Sequence, residues 1–132
     1  MKPIKDYEVM LFKAERDFQS GILLENNELE EGAIYHYQQT AEKSLKTFLI
    51  FHKNKVPKTH DLTSLLDTCI EIDSKFEVLY DACEKLTPYA TIFRYMDTGY
   101  GLTPSHDLVD EAKGESFKIL EFVKNKIVSV DN

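Results

Sequence analysis

The chain has 132 residues, with 16 basic and 23 acidic side chains and a formal charge of −7. That length supports one domain with one core, taken here as 1–132, and 42% apolar with 30% charged residues is ordinary for a globular protein. The acidic balance speaks against sequence-blind DNA binding, which needs a basic surface to release counterions. No stretch approaches the roughly 20 apolar residues of a membrane span.

The opening segment, Met1 to Asp6, carries no apolar run of signal-peptide length. The expectation is a cytoplasmic protein. Cys69 and Cys83 are then read as reduced, buried helix residues rather than a disulfide. No Cys or His lies at finger-like spacing around them, so no metal is expected.

Five helical segments follow in order. The first runs from about Asp6 to Asn26, with Tyr7, Met10, Leu11, Ala14, Phe18, Gly21 and Ile22 at helical period. The second runs from about Leu29 to Lys53, with Ala33, Tyr37, Ala41, Leu45, Phe48 and His52 on one stripe. Pro57 prevents continuation, and the third starts near His60 or Asp61. Ser74 and Glu77 have capping-box spacing, which predicts a fourth helix from Ser74 that Pro88 ends or kinks. Tyr89 to Arg94 reads as a further turn, and the glycines at 99 and 101 as a loop. Thr103-Pro104 predicts a restart, with Thr as cap and Pro in the first helical position. The last helix runs to about Val130. No alternating strand pattern is present. The fold expected is all-α: an antiparallel up-and-down bundle of four main helices plus a short fifth element.

The second helix is unusually polar for a helix with a face to bury. Gln38, Gln39, Glu42, Lys43 and Lys46 lie three and four residues apart and are neighbours along it. Of the four histidines, His36 is expected on a solvated face and His52 at a helix end. His60 and His106 are each followed by Asp and Leu at a helix start. Each reads first as a capping or packing residue and second as a proton donor at a cleft. Arg94, between Phe93 and Tyr95, can pair with an internal acid such as Asp97 or Glu42, or with a phosphate. Lys53, Lys55 and Lys58 cluster in one loop, and none of the five glycines fits a phosphate-loop spacing.

Gln38-Gln39, Ala41-Glu42-Lys43, Leu45-Lys46, Thr59-His60-Asp61-Leu62, Arg94-Tyr95 and Asp97 resemble the pattern of the HEPN domain (higher eukaryotes and prokaryotes nucleotide-binding). Thr40 stands where the pattern has Ala, and Met96 where it has Pro. Ala14 and Asp17 match the first helix, so the resemblance spans almost the whole chain. It implies a helical bundle, commonly a homodimer, often partnered with a minimal nucleotidyltransferase in toxin–antitoxin-like modules. Many HEPN proteins are metal-independent ribonucleases whose motif is an Arg and a His separated by four to six residues. Here Arg94 meets Gly99, Tyr100 and Gly101 at those positions, and Arg16 meets Gly21, Ile22 and Leu23. The motif is absent.

These readings set the expectations. Tyr35, Phe51, Phe93, Tyr95 and Tyr100 are hard to bury in one small bundle and point to a homodimer. Gln39, Glu42, Lys43, Lys46, His60 and Arg94 are expected to converge on one groove for a nucleotide, with no cofactor. The favoured function is an accessory or nucleotide-binding module, with a nucleotidyltransferase as partner. The alternative is a metal-independent ribonuclease using Arg94 with His60 or His106.

Overall fold

A computed structural model describes residues 3–93 and 103–131, with side chains placed through residue 128. Helix α1 (Asp6–Asn26) and helix α2 (Glu30–Phe51) form the longest pairing. Helix α3 (Leu62–Ile72) is followed by a 3-10 stretch (Ser74–Leu79), helix α4 (Tyr80–Leu86) and a second 3-10 stretch (Thr87–Ala90). Helix α5 (His106–Asp131) closes the bundle. There is no strand among the described residues, as the period of the apolar positions implied. No helix among them is long and apolar enough to cross a membrane.

Helix α2 is the central element, packed on α1, α5 and α3. That position explains its composition, because a helix surrounded by others has no solvated face on which to put polar residues. Gln38, Gln39, Thr40, Glu42, Ser44 and Thr47 are all buried beside the apolar stripe of Ala33, Tyr37, Ala41, Leu45 and Phe48. The hydroxyls of Thr40, Ser44 and Thr47 donate back to the carbonyls of His36, Thr40 and Lys43, at 2.8, 2.6 and 2.7 Å. Each thereby satisfies itself without a partner helix.

Helix α1 approaches α2 closely because Gly21 faces Tyr37: a Cβ at Gly21 would sit 2.5 Å from the ring. Tyr37 is fully buried and donates its hydroxyl proton to Glu25 at 2.6 Å. Burial, then that carboxylate, push the phenol's titration upward. The Tyr7–Phe51 edge contact, with centroids 4.9 Å apart, shows that α1 and α2 run antiparallel. Phe18–Phe117 and Glu15–Lys124 set α5 antiparallel to α1. Leu62 N–H donates to Thr87 Oγ1 at 3.2 Å, and Tyr80 pairs with Asp67, so α4 returns antiparallel along α3.

Two boundaries differ from the expected ones. The cap of the fourth segment is Asp73, not Ser74: its carboxylate accepts from Lys75 N–H at 3.0 Å and pairs with Lys126 at 2.7 Å. The segment opens as 3-10 rather than α. The cap of α5 is Ser105, whose hydroxyl accepts from Leu108 N–H at 3.2 Å, two residues after the predicted Thr103. Pro104 is buried instead of opening the helix. Cys69 and Cys83 are buried free thiols, each pushed up to about 12 by burial, and therefore unreactive.

Candidate functional site

The ten residues after α2 do not lead away from it. Residues 52–61 run back alongside it, so that His60 meets Gln38 and Glu42, near the middle of α2. The residue two before α3 therefore sits beside the middle of α2 rather than at its C-terminal end. The return is pinned by both parts of His60. Its carbonyl accepts from Gln38 Nε2 at 3.3 Å, and its ring Nδ1 lies 2.9 Å from Glu42 Oε1. Thr59 Oγ1 accepts from Asp61 N–H at 3.0 Å. Asp61 then caps α3 by accepting from Thr63 N–H and from the hydroxyls of Thr63 and Ser64. The Thr-His-Asp-Leu string is thus a turn, an anchor, a cap and a core residue in succession.

Glu42 is the centre of the arrangement. Its side chain is only 4% exposed. Oε1 faces His60 and, at 3.5 Å, Gln38 Nε2; Oε2 takes Lys46 Nζ at 3.0 Å, one turn along the helix. Gln39 Nε2 donates to Gln38 Oε1 at 2.7 Å and so joins the network at one remove. Burial alone would raise the carboxyl's pKa. The hydrogen bonds from His60 and Lys46, with their charges, outweigh it and leave Glu42 below the ordinary carboxylate range. It is an ionised group held in the interior by its partners. The His60 ring is 72% exposed, and its second nitrogen is on the edge opposite the one facing Glu42.

Lys43 does not belong to this network. It points across α2 to Asp17 of α1, at 2.5 Å, and Asp17 also takes His36 Nδ1 at 2.8 Å. His36 was expected on a solvated face; it is half-buried against that acid. The detectable signal was Asp17 itself, which falls between Ala14 and Gly21 on the inner stripe of α1, where an acid needs a partner. Burial opposes its ionisation, but His36 and Lys43 together hold its pKa below the ordinary value.

His106 lies elsewhere, 3.8 Å from Glu30 at the first turn of α2. Twelve residues of helix separate Glu30 from Glu42, about 18 Å. His60 and His106 therefore do not share a centre within one chain. Arg94 and residues 95–102, Tyr95 and Tyr100 among them, lie outside the described residues. Of the remaining aromatics singled out for self-association, Tyr35, Phe51 and Phe93 are each partly buried. No group of three or more His, Cys, Asp or Glu side chains among the described residues is arranged to hold a metal ion.

No curated protein sequence matches the chain. The crystal structure of an archaeal HEPN homologue is similar to it with a TM-score of 0.75 at 26% identity, over 94% of this chain and 99% of that one. The HEPN domain profile matches residues 7–126, which takes in both carboxylate clusters, α2, α3 and α4 whole, and most of α1 and α5. The chain belongs to the HEPN domain family.

Proposed function

We propose that this HEPN domain is an accessory, anion-recognising module that works as a homodimer with a minimal nucleotidyltransferase, in a toxin–antitoxin-like pair. One observation carries the reading. Residues 52–60 hold three lysines, two histidines and no acid on a chain of charge −7. The fold lays exactly this segment back along α2, ending where His60 and Lys46 meet over Glu42. The buried carboxylate orients the His60 ring and the Lys46 ammonium; the lysines at 53, 55 and 58 are exposed along the returning segment. Such a surface suits a polyphosphate or an acidic partner, with clear salt sensitivity. Nucleotide phosphate is the expected ligand class, and Arg94 is proposed to complete the groove. Calorimetric titration with ATP tests this. Wild type should give heat that Arg94→Ala and His60→Ala each reduce and that salt suppresses. Absence of heat in wild type would refute nucleotide recognition.

A second reading draws on the same His60. A carboxylate on Nδ1 with the opposite ring edge exposed is the arrangement of a general base. With Arg94 to stabilise a pentavalent phosphate, it supports a metal-independent ribonuclease. The missing Arg–His spacing weighs against that reading. Cleavage of RNA in chelator, abolished by His60→Ala with the fold intact, would favour it over the accessory role.

A further inference from the structure

Helix α1 has a core face and an outer face. Ala14, Asp17 and Gly21 turn inward. On the opposite side lie Glu8, Phe12, Arg16, Gln19 and Leu23, and Phe12 and Leu23 are 62% and 65% exposed. An amphipathic helix on a bundle surface normally carries polar residues there. The rows 8-12-16-20 and 11-15-19-23 follow the four-residue ridges of a helix. Between them run two contiguous troughs of about 320 and 180 Å3, lined by residues of α1 alone. This is the relief into which the ridge of a second helix packs.

We infer that this face of α1 pairs with the same face of a second copy of this chain, antiparallel about a two-fold axis at Phe12. The charge pattern selects both occupant and direction. In an antiparallel pair centred on Phe12, positions equally spaced on either side face each other. Glu8 of one copy meets Arg16 of the other, and the symmetry makes that ion pair twice. A parallel arrangement would set Glu8 against Glu8 and Arg16 against Arg16. The two Phe12 rings meet at the axis, each already covered on one side by its own Arg16 guanidinium, 5.8 Å from the ring centroid. Within one chain Glu8 and Arg16 are eight residues apart, about 12 Å along the helix, and do not serve each other. Self-complementarity of this kind is what an isologous contact requires, and a foreign partner has no need of it. The inference rests on the dimer reading above and gives it a location.

Sedimentation equilibrium with charge-swapped variants tests it. Glu8→Arg alone and Arg16→Glu alone each put like charges together twice, and each should weaken the dimer about tenfold or more. The double variant E8R/R16E restores two opposite-charge pairs and should recover most of the wild-type affinity. Phe12→Glu should give monomer. Circular dichroism of each variant checks that α1 remains folded. A wild type that is monomeric at high concentration would overturn both the dimer and this interface. A wild-type dimer that survives all three single changes, or a double variant no better than the singles, would overturn this interface alone.

Discussion

The protein contains the same three groups twice. Asp17 takes His36 and Lys43; Glu42 takes His60 and Lys46. Both acids are buried, both are held ionised, and in both the His ring and the Lys ammonium take different oxygens. The difference lies in what each cluster joins. Asp17 on α1 meets two residues of α2, and its histidine is half-buried, so the cluster locks two helices. Glu42 meets its own helix neighbour and a histidine at the end of a loop. It fixes a path of the backbone and leaves the histidine ring in the open. A buried acid with a His and a Lys around it is therefore not by itself a site. The geometry that makes one a candidate is the exposed ring edge beside a basic loop, and only the Glu42 cluster has it.

The largest expected effect breaks that cluster at its centre. Glu42→Ala leaves Lys46 without its acid, removes one of the two acceptors of the buried Gln38 amide and takes away the side-chain anchor of the return of residues 52–61. Removing one partner of a buried ion pair typically costs 3–5 kcal/mol; with His60 and Lys46 both partly in solvent, about 3 kcal/mol is expected here. Urea unfolding measures it. Asp17→Ala should cost less, about 2 kcal/mol, because the Asp17 carboxylate is itself closer to solvent than Glu42, with its side chain 11% exposed against 4%. Combined, the two losses should add to within a few tenths of a kcal/mol if the clusters are independent. Strong non-additivity would mean that α2 transmits between them.

Acid should expose the same comparison. Both carboxyls have folded pKa values below their ordinary ones, 4.5 for Glu42 and 3.8 for Asp17. A depressed carboxyl contributes stability that is present above the unfolded pKa and lost as pH falls through the folded one. Wild type should thus be at full strength near neutrality and lose stability below about pH 4.5. The caps Asp61 and Asp73, also lowered, add to that slope. Glu42→Gln should be less stable at neutrality and should flatten the acid limb. An unchanged limb would mean that Glu42 titrates alike in the folded and unfolded chain.

The sequence made some of this legible and not the rest, for physical reasons. Helices α1, α2 and α5 follow from long apolar periods, which survive local noise. The short stretch 74–90 did not resolve into 3-10 and α, because six residues fit either period. Asp73 and Ser74 are both good caps by local chemistry. Asp73 also pairs with Lys126, more than fifty residues away, and no local pattern contains that partner. The polar run on α2 was visible, but its division was not. Lys43 and Lys46 look equivalent along a helix, and only the placement of α1 on one side and the returning loop on the other assigns them to different acids. The return of 52–61 was the least legible feature, since Pro57 says that the helix cannot continue and nothing about where the chain goes.

The smallest expected effect is the one that sharpens the comparison most. His36→Ala and His60→Ala delete equivalent groups from the two clusters. His36 is half-buried between helices, so its loss removes packing as well as a hydrogen bond, and about 1 kcal/mol is expected. His60 is largely in water, its carbonyl keeps the bond from Gln38 whatever the side chain, and Lys46 still neutralises Glu42. Its removal should cost about 0.5 kcal/mol or less. If His60 served only to stabilise the fold, its variant should be the milder of the two in every assay. If the ring belongs to a recognition surface, the order reverses: His60→Ala should lose ATP binding while unfolding almost as wild type does, and His36→Ala should keep binding while unfolding earlier. Paired urea curves and titrations on the two variants measure both orders. Parallel losses of stability and binding in His60→Ala would reduce the Glu42 cluster to a second structural lock.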